Sequence, residues 1–138
     1  MRTIVLDSEA VQALTDPTHA HHRAVVAHLA GAVSRRRRGI EVNIVVPTTV
    51  RVEAGWDRST PSAAAIDRMR VRDHVLDTPA ANVAAGIQAR TGVGPTDAHI
   101  GATVRSVTAG DVVVLTSDPA GIAAASADAA VTVRIIRI

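Results

Sequence analysis

The chain of 138 residues predicts an α/β domain with a central, mainly parallel sheet flanked by helices, and three observations lead there. Short apolar runs rich in β-branched residues, the mark of strands covered on both faces, alternate with longer segments whose apolar residues recur at helical spacing. Pro and Gly fall at the junctions, where they open helices or stop them. No internal repeat and no linker-like stretch breaks the alternation, so one domain spanning 1–138, large enough to bury a core, is expected.

The elements follow in order. "RTIVL", 2–6, reads as a short buried strand, and Asp7 or Ser8 can cap a helix from about Glu9 to Pro17. Val25, Val26, Leu29, Ala32 and Val33 place a long amphipathic helix over 19–37, stopped by Gly39. "EVNIVV", 41–46, is the second strand; Pro47 opens a helix carrying Val50, Glu53, Ala54 and Trp56, and another helix is expected over 62–72. "HVLDT", 74–78, reads as the third strand, followed by a helix from Pro79 to Ala89 that the Gly92 and Gly94 pair ends. A helix from Pro95–Asp97 towards Gly110, the strand "VVVLTSD" at 112–118, an Ala-rich helix and a last strand "VTVRII" complete the pattern.

Composition excludes several chemistries. There is no Cys, which removes disulfides, thiolate metal sites and cysteine nucleophiles. All 15 basic residues are Arg, so a lysine-bearing phosphate loop, a Schiff base and pyridoxal phosphate chemistry are ruled out. Trp56 is the single aromatic residue, and the core must be built from small aliphatic side chains. No apolar run is long enough to span a bilayer and no leader pattern opens the chain, so a cytoplasmic protein is expected.

The acids carry the functional signal. Function in an open parallel sheet concentrates beyond the carboxyl ends of the strands, at a topological switch point. Asp7 ends the first strand and Asp118 ends "VVVLT"; Asp97 lies in a helical first turn and Glu53 in the helix after strand two. Each also has a local use: Asp7 and Asp118 as caps or turn residues, Asp97 as a complement to the helix dipole, Glu53 as a solvated helix residue. Local uses do not account for convergence on one edge. Four carboxylates meeting there repel one another unless a divalent cation resolves the conflict, which points to Mg2+ or Mn2+.

Four pieces in order, "IVLDSEAV", "VPTTVRVEAGW", "GPTDAHIGATV" and "VVLTSDPAGI", resemble the PIN-domain ribonucleases, and among them the VapC-type toxins of bacterial toxin–antitoxin systems. The resemblance covers nearly the whole chain and implies a three-layer PIN-like domain that hydrolyses RNA phosphodiester bonds with Mg2+ or Mn2+. It implies Asp7, Glu53, Asp97 and Asp118 as the catalytic acids, with Asp7 and Asp97 as direct metal ligands and Asp118 and Glu53 completing the shell directly or through water. Thr116 and Ser117 would support the carboxylates or the substrate phosphate with their hydroxyls. The resemblance also implies a homodimer and a cognate antitoxin. Two departures stand out: Glu9 occupies a position where the family has a small polar residue, and Ala120 and Gly121 follow "TSDP" where related sequences often carry another acid.

The basic residues have two uses. "RRRR", 35–38, complements a helix C-terminus or contacts RNA, and Arg51 and Arg58 beside Trp56 are candidate contacts for RNA or antitoxin. Val50, Val52, Trp56, Ile66, Met69 and Val71 make more apolar surface than so small a monomer is expected to hide. The histidines lack zinc spacing, and "HAHH", 19–22, reads as a solvated helix start. A receiver domain or a haloacid dehalogenase-type phosphatase also sets Asp at strand ends, but the missing Lys counts against both. A noncatalytic α/β binding module remains the alternative to a nuclease.

Overall fold

A computed structural model describes the backbone of residues 1–138 and every side chain except that of Ser62. Five strands form one sheet, and all of its pairings are parallel: β1 (Arg2–Leu6), β2 (Val42–Pro47), β3 (Val71–His74), β4 (Asp111–Thr116) and β5 (Thr132–Arg137), in the order β3-β2-β1-β4-β5. Seven α-helices connect them: α1 (Ser8–Thr15), α2 (His22–Arg37), α3 (Thr48–Ala54), α4 (Ala64–Asp67), α5 (Thr78–Thr91), α6 (Pro95–Arg105) and α7 (Pro119–Ala125). The predicted α/β class, with helices flanking a central parallel sheet, is what forms.

The strand order explains the layers. From β1 the chain moves to β2 and β3 in one direction, then returns across the sheet to β4 and β5 in the other. Right-handed crossovers taken in opposite directions lay their helices on opposite faces. The reversal lies between β1 and β4, and a crevice therefore opens beyond the carboxyl ends of those two strands.

Burial follows the pattern of small aliphatic layers. Leu6, Leu29, Ile44, Ile100, Leu115 and Ile122 are fully buried, and β1 and β4 are covered almost along their length. The most enclosed helix is α6, whose residues Ala98 to Val104 are all buried. It achieves this with small residues: a Cβ at Gly101 would collide with the Ala125 carbonyl and come within 2.9 Å of Ile87 Cδ1, so glycine sets how closely α6 approaches its neighbours.

Three expectations need correction. The third strand is Val71–His74, not 74–78: Val71 is buried beside Ile44, whereas Val75 and Leu76 stay exposed. The helix expected over 62–72 is only a 3-10 turn (Pro61–Ala63) followed by α4, because pairing with β2 takes the segment into strand at Val71. The apolar residues expected to be surplus are largely used within the monomer. Val50, Trp56, Ile66 and Val71 are buried, and Val52, at 82% exposure, is the clear exception.

Candidate active site

The four predicted acids line one cavity of about 340 Å3, together with Ser8, Glu9, Gln12, Thr96 and Ser117. They come from the end of β1, from α3, from the first turn of α6 and from the end of β4, so the pocket occupies the crevice where the strand order reverses. Among the described residues none of the four takes part in an ion pair, although the chain holds fifteen arginines.

Asp7 is tied to the backbone at two points. One carboxylate oxygen accepts from the Ala10 N–H at 2.8 Å and caps α1; the other accepts from the Ser117 N–H at 2.9 Å and ties β1 to the end of β4. Burial pushes its pKa up, while these bonds, with a further one from Thr116, pull the other way. Asp118 caps α7 through the Gly121 N–H at 3.1 Å, and its own N–H donates to the Thr116 hydroxyl at 2.9 Å. Thr116 is thus bonded to both strand-end residues, to the Asp7 carboxylate and to the Asp118 backbone N–H, and Ser117 contributes its backbone N–H.

Asp97 carries the strain of the cluster. Its pKa is pushed up to about 7, first by burial, then by a hydrogen bond with Asp118 and by repulsion from Asp118, Asp7 and Glu53. Near neutral pH this side chain is only partly ionised, where an ordinary aspartate would have lost its proton. Gly121 makes room for the pair: a Cβ there would overlap Asp118 Oδ2 and lie 2.8 Å from Asp97 Oδ2. The absence of a further acid after "TSDP" therefore has a steric counterpart, since the glycine lets two carboxylates approach. Glu53 is exposed at the mouth of the pocket, where one oxygen accepts from the Thr96 hydroxyl at 2.8 Å. Gly94 holds the cap position of α6. Glu9 lines the cavity, but its carboxylate bonds His19 Nε2 at 2.9 Å, and the extra charge is partnered on the rim.

A divalent cation fits this donor set. All the pocket's acids offer hard oxygen ligands of the kind Mg2+ and Mn2+ take, and the buried Ser8 hydroxyl, at the pocket wall, has no hydrogen-bond partner. Among the described residues no three acidic or imidazole groups stand close enough to clasp an ion, so a cation bound here would require the carboxylates to draw together.

A second network, absent from the sequence reading, stitches the elements that carry Glu53 and Asp97. His99, fully buried in α6, bonds the Thr49 hydroxyl of α3 through Nδ1 at 2.6 Å and faces His74 Nδ1 at 3.2 Å through Nε2; His74 also bonds the Thr103 hydroxyl at 2.8 Å. Burial, then the neighbouring His74, lowers the His99 pKa to about 4, so both rings are neutral at physiological pH. The signal in the sequence was a lone His and a Thr four residues apart in an otherwise apolar, small-residue helix.

The candidate contact residues form a cluster within the chain. Arg51 and Arg58 stack over Trp56, at 5.8 and 4.9 Å from the ring centre, and both bond Asp73, while Arg58 also bonds Asp67. Trp56 is 8% exposed. Trp56 is thus part of the monomer's core, and the two arginines are engaged within the chain. Protein-family models, curated proteins and solved structures were all compared with the chain. None of them matches. Among the described residues no helix is long and apolar enough to cross a membrane.

Proposed function

We propose that the chain is a metal-dependent endoribonuclease, acting as the toxin of a type II toxin–antitoxin pair. The observation that carries the catalytic part is the convergence of four carboxylates from four separate elements on one pocket with no cationic partner. A protein that merely caps its helices with acids has no reason to bring them together at such electrostatic cost. The order and spacing of "IVLDSEAV", "VPTTVRVEAGW", "GPTDAHIGATV" and "VVLTSDPAGI", which resemble the VapC-type toxins, support the substrate and the biological role. The same resemblance supports a homodimer and inhibition by an antitoxin.

In this reading Asp7, Asp97 and Asp118 would hold Mg2+ or Mn2+, with Glu53 completing the shell. A bound ion of this kind supplies positive charge for the scissile phosphate and makes a coordinated water more acidic. The residues divide the remaining work. Asp7 is fixed by two backbone N–H groups and is the rigid member of the set. Asp97 gives up its proton before it can serve as a ligand, which couples activity to pH. Glu53, held from one side by Thr96 at the open mouth, is placed to orient the attacking water and take its proton. Ser117, exposed at the same wall, can donate to a phosphate oxygen through its hydroxyl.

The test is cleavage of a structured RNA by purified protein in Mg2+ or Mn2+, abolished by EDTA, together with growth arrest on expression that a small adjacent gene product relieves. A noncatalytic module would bind neither ion and cut nothing in either condition.

A further inference from the structure

Three arginines meet at the end of the sheet opposite the acid pocket. Arg36 lies in the last turn of α2, Arg70 closes the turn before β3, and Arg72 is the second residue of that strand. β3 starts beside the middle of β2, with Val71 next to Ile44, so the chain entering both strands lies at the end remote from Asp7 and Asp118. A cavity of about 330 Å3 opens there, lined by the three arginines with Glu41, Asn43 and the backbone around Gly39.

These charges are not cancelled. Among the described residues neither Arg36, Arg70 and Arg72 nor Glu41 takes part in an ion pair. Arg36 is pinned: its Nε donates to the Val42 carbonyl at 2.7 Å and its Nη1 to the Met69 carbonyl, which leaves Nη2 uncommitted. Burial, then repulsion from Arg70 and Arg72, holds its pKa below the usual value. Arg70 has φ of 54°, the single non-glycine among the described residues in a conformation that favours Gly or Asn. The fold therefore accepts both crowding of like charge and backbone strain at this point.

We propose that the Arg36, Arg70 and Arg72 cavity binds phosphate groups, and that its ligand is the sugar–phosphate backbone of RNA. Guanidinium forks match phosphate oxygens bidentately, and their positive charge stays constant through the physiological range. Arg35, Arg37 and Arg38 extend the positive surface along the same helical turn, which suits an anion with regularly spaced charges. The one aromatic ring, Trp56, is buried, so contact is through the backbone without base stacking. The phosphate site stands on its own geometry, and the identity of the polyanion rests on the nuclease reading. β2 has six residues, roughly 20 Å of strand. An RNA reaching from this cavity to the acid pocket at a helical spacing of ~3.4 Å therefore covers about six nucleotides, fewer where the strand is extended.

The experiment is binding of a labelled single-stranded RNA long enough to span both sites, measured by fluorescence anisotropy across a salt series in EDTA. Each lost phosphate contact lowers the slope of log K against log salt by about 0.7, so Arg70→Gln with Arg72→Gln should lower it by about 1.4. Arg72→Gln alone, at an exposed strand position, should give half that change should the pair disturb the turn. Inorganic phosphate, added at constant ionic strength, should displace RNA from the wild type more than sulfate-free chloride controls do, which marks recognition of the phosphate group itself. Unchanged slopes in folded variants would overturn the proposal. So would displacement by a Glu-rich peptide at lower charge concentration than phosphate, which would mark a protein-binding surface instead. With no divalent ion present the readout is independent of cleavage: an inactive acid pocket would leave the slope change intact, and unchanged slopes would leave cleavage standing.

Discussion

The acid pocket and the Trp56 region both bring charges together, but they resolve them in opposite ways. Around Trp56, two arginines meet two aspartates: Asp73 bonds Arg51 at 2.7 Å and Arg58 at 3.0 Å, Asp67 bonds Arg58, and both guanidinium groups lie over the indole. At the switch point four carboxylates share a cavity and none finds an arginine. A chain with fifteen arginines does not lack cations to place there. Charge is cancelled where it builds the fold and left uncancelled at the switch point, where the proposed metal would supply the counter-charge. The Arg36, Arg70 and Arg72 cavity is the cationic counterpart of the acid pocket at the other end of the sheet.

The largest expected effect comes from removing one uncancelled charge. Asp97→Asn should lower the cleavage rate by at least about 100-fold, because even partners one step removed from a metal cost up to that factor. The same substitution should raise the metal-free melting temperature, since it relieves repulsion and keeps a hydrogen bond to Asp118. Asp7→Asn should not stabilise in this way, because an amide offers one acceptor where two backbone N–H groups now donate. Thermal melts with and without Mn2+ separate the two variants.

Proton linkage gives the next effect. The Asp97 pKa of about 7 is raised above the unfolded value of 3.8, so its contribution to metal-free stability is full below pH 4 and is lost as pH rises through 7. The His99 pKa of about 4 is depressed below 6.5, so its contribution is full above that pH and is lost as pH falls towards 4. Between about pH 4.5 and 6.5 the two contributions oppose each other, so Asp97→Asn should make metal-free stability rise more steeply with pH there. Metal binding releases the same proton, so Mn2+ affinity should rise about tenfold per pH unit below 7 and level off above it, as calorimetry can read.

The paired region should respond in stability without a change in chemistry. Arg58→Ala removes hydrogen bonds to Asp67, Asp73 and the Val71 carbonyl, and should cost about 2 kcal/mol in urea unfolding, the order of one charged hydrogen bond. Its cleavage rate per folded molecule should stay close to wild type. A large loss of turnover with full stability would break the contrast drawn between the two regions. Smaller still is the effect expected at the cationic cavity, where Arg70→Gln with Arg72→Gln should raise KM for long RNA several-fold and leave kcat unchanged.

The element order and the acid set were legible because both depend on local signals. Strand runs such as "VVVLT" and Pro or Gly at the helix ends declare themselves over a few residues, and a parallel sheet then sends its strand-end acids to one edge. What was not legible depends on pairings remote in sequence. The start of β3 is decided by Val71 settling beside Ile44, not by the helical character of "AAIDRMR". Glu9 turned to His19 because the loop before α2 folds back, and Trp56 sank into the core because Arg51 and Arg58 cover it. The Thr49–His99–His74 network joins three elements with no shared motif. Arg36 likewise meets Arg70 and Arg72 only through the register of β2 and β3.

The most direct test of the account is the initial rate of RNA cleavage as a function of free Mn2+, measured at pH 7.5 on wild type and Asp97→Asn purified side by side. The acid pocket predicts a wild-type curve that rises from zero and saturates, and a variant curve that stays at about one hundredth of it or less. Identical curves for the two proteins would place the activity outside this pocket, and no metal dependence in either would contradict the central claim.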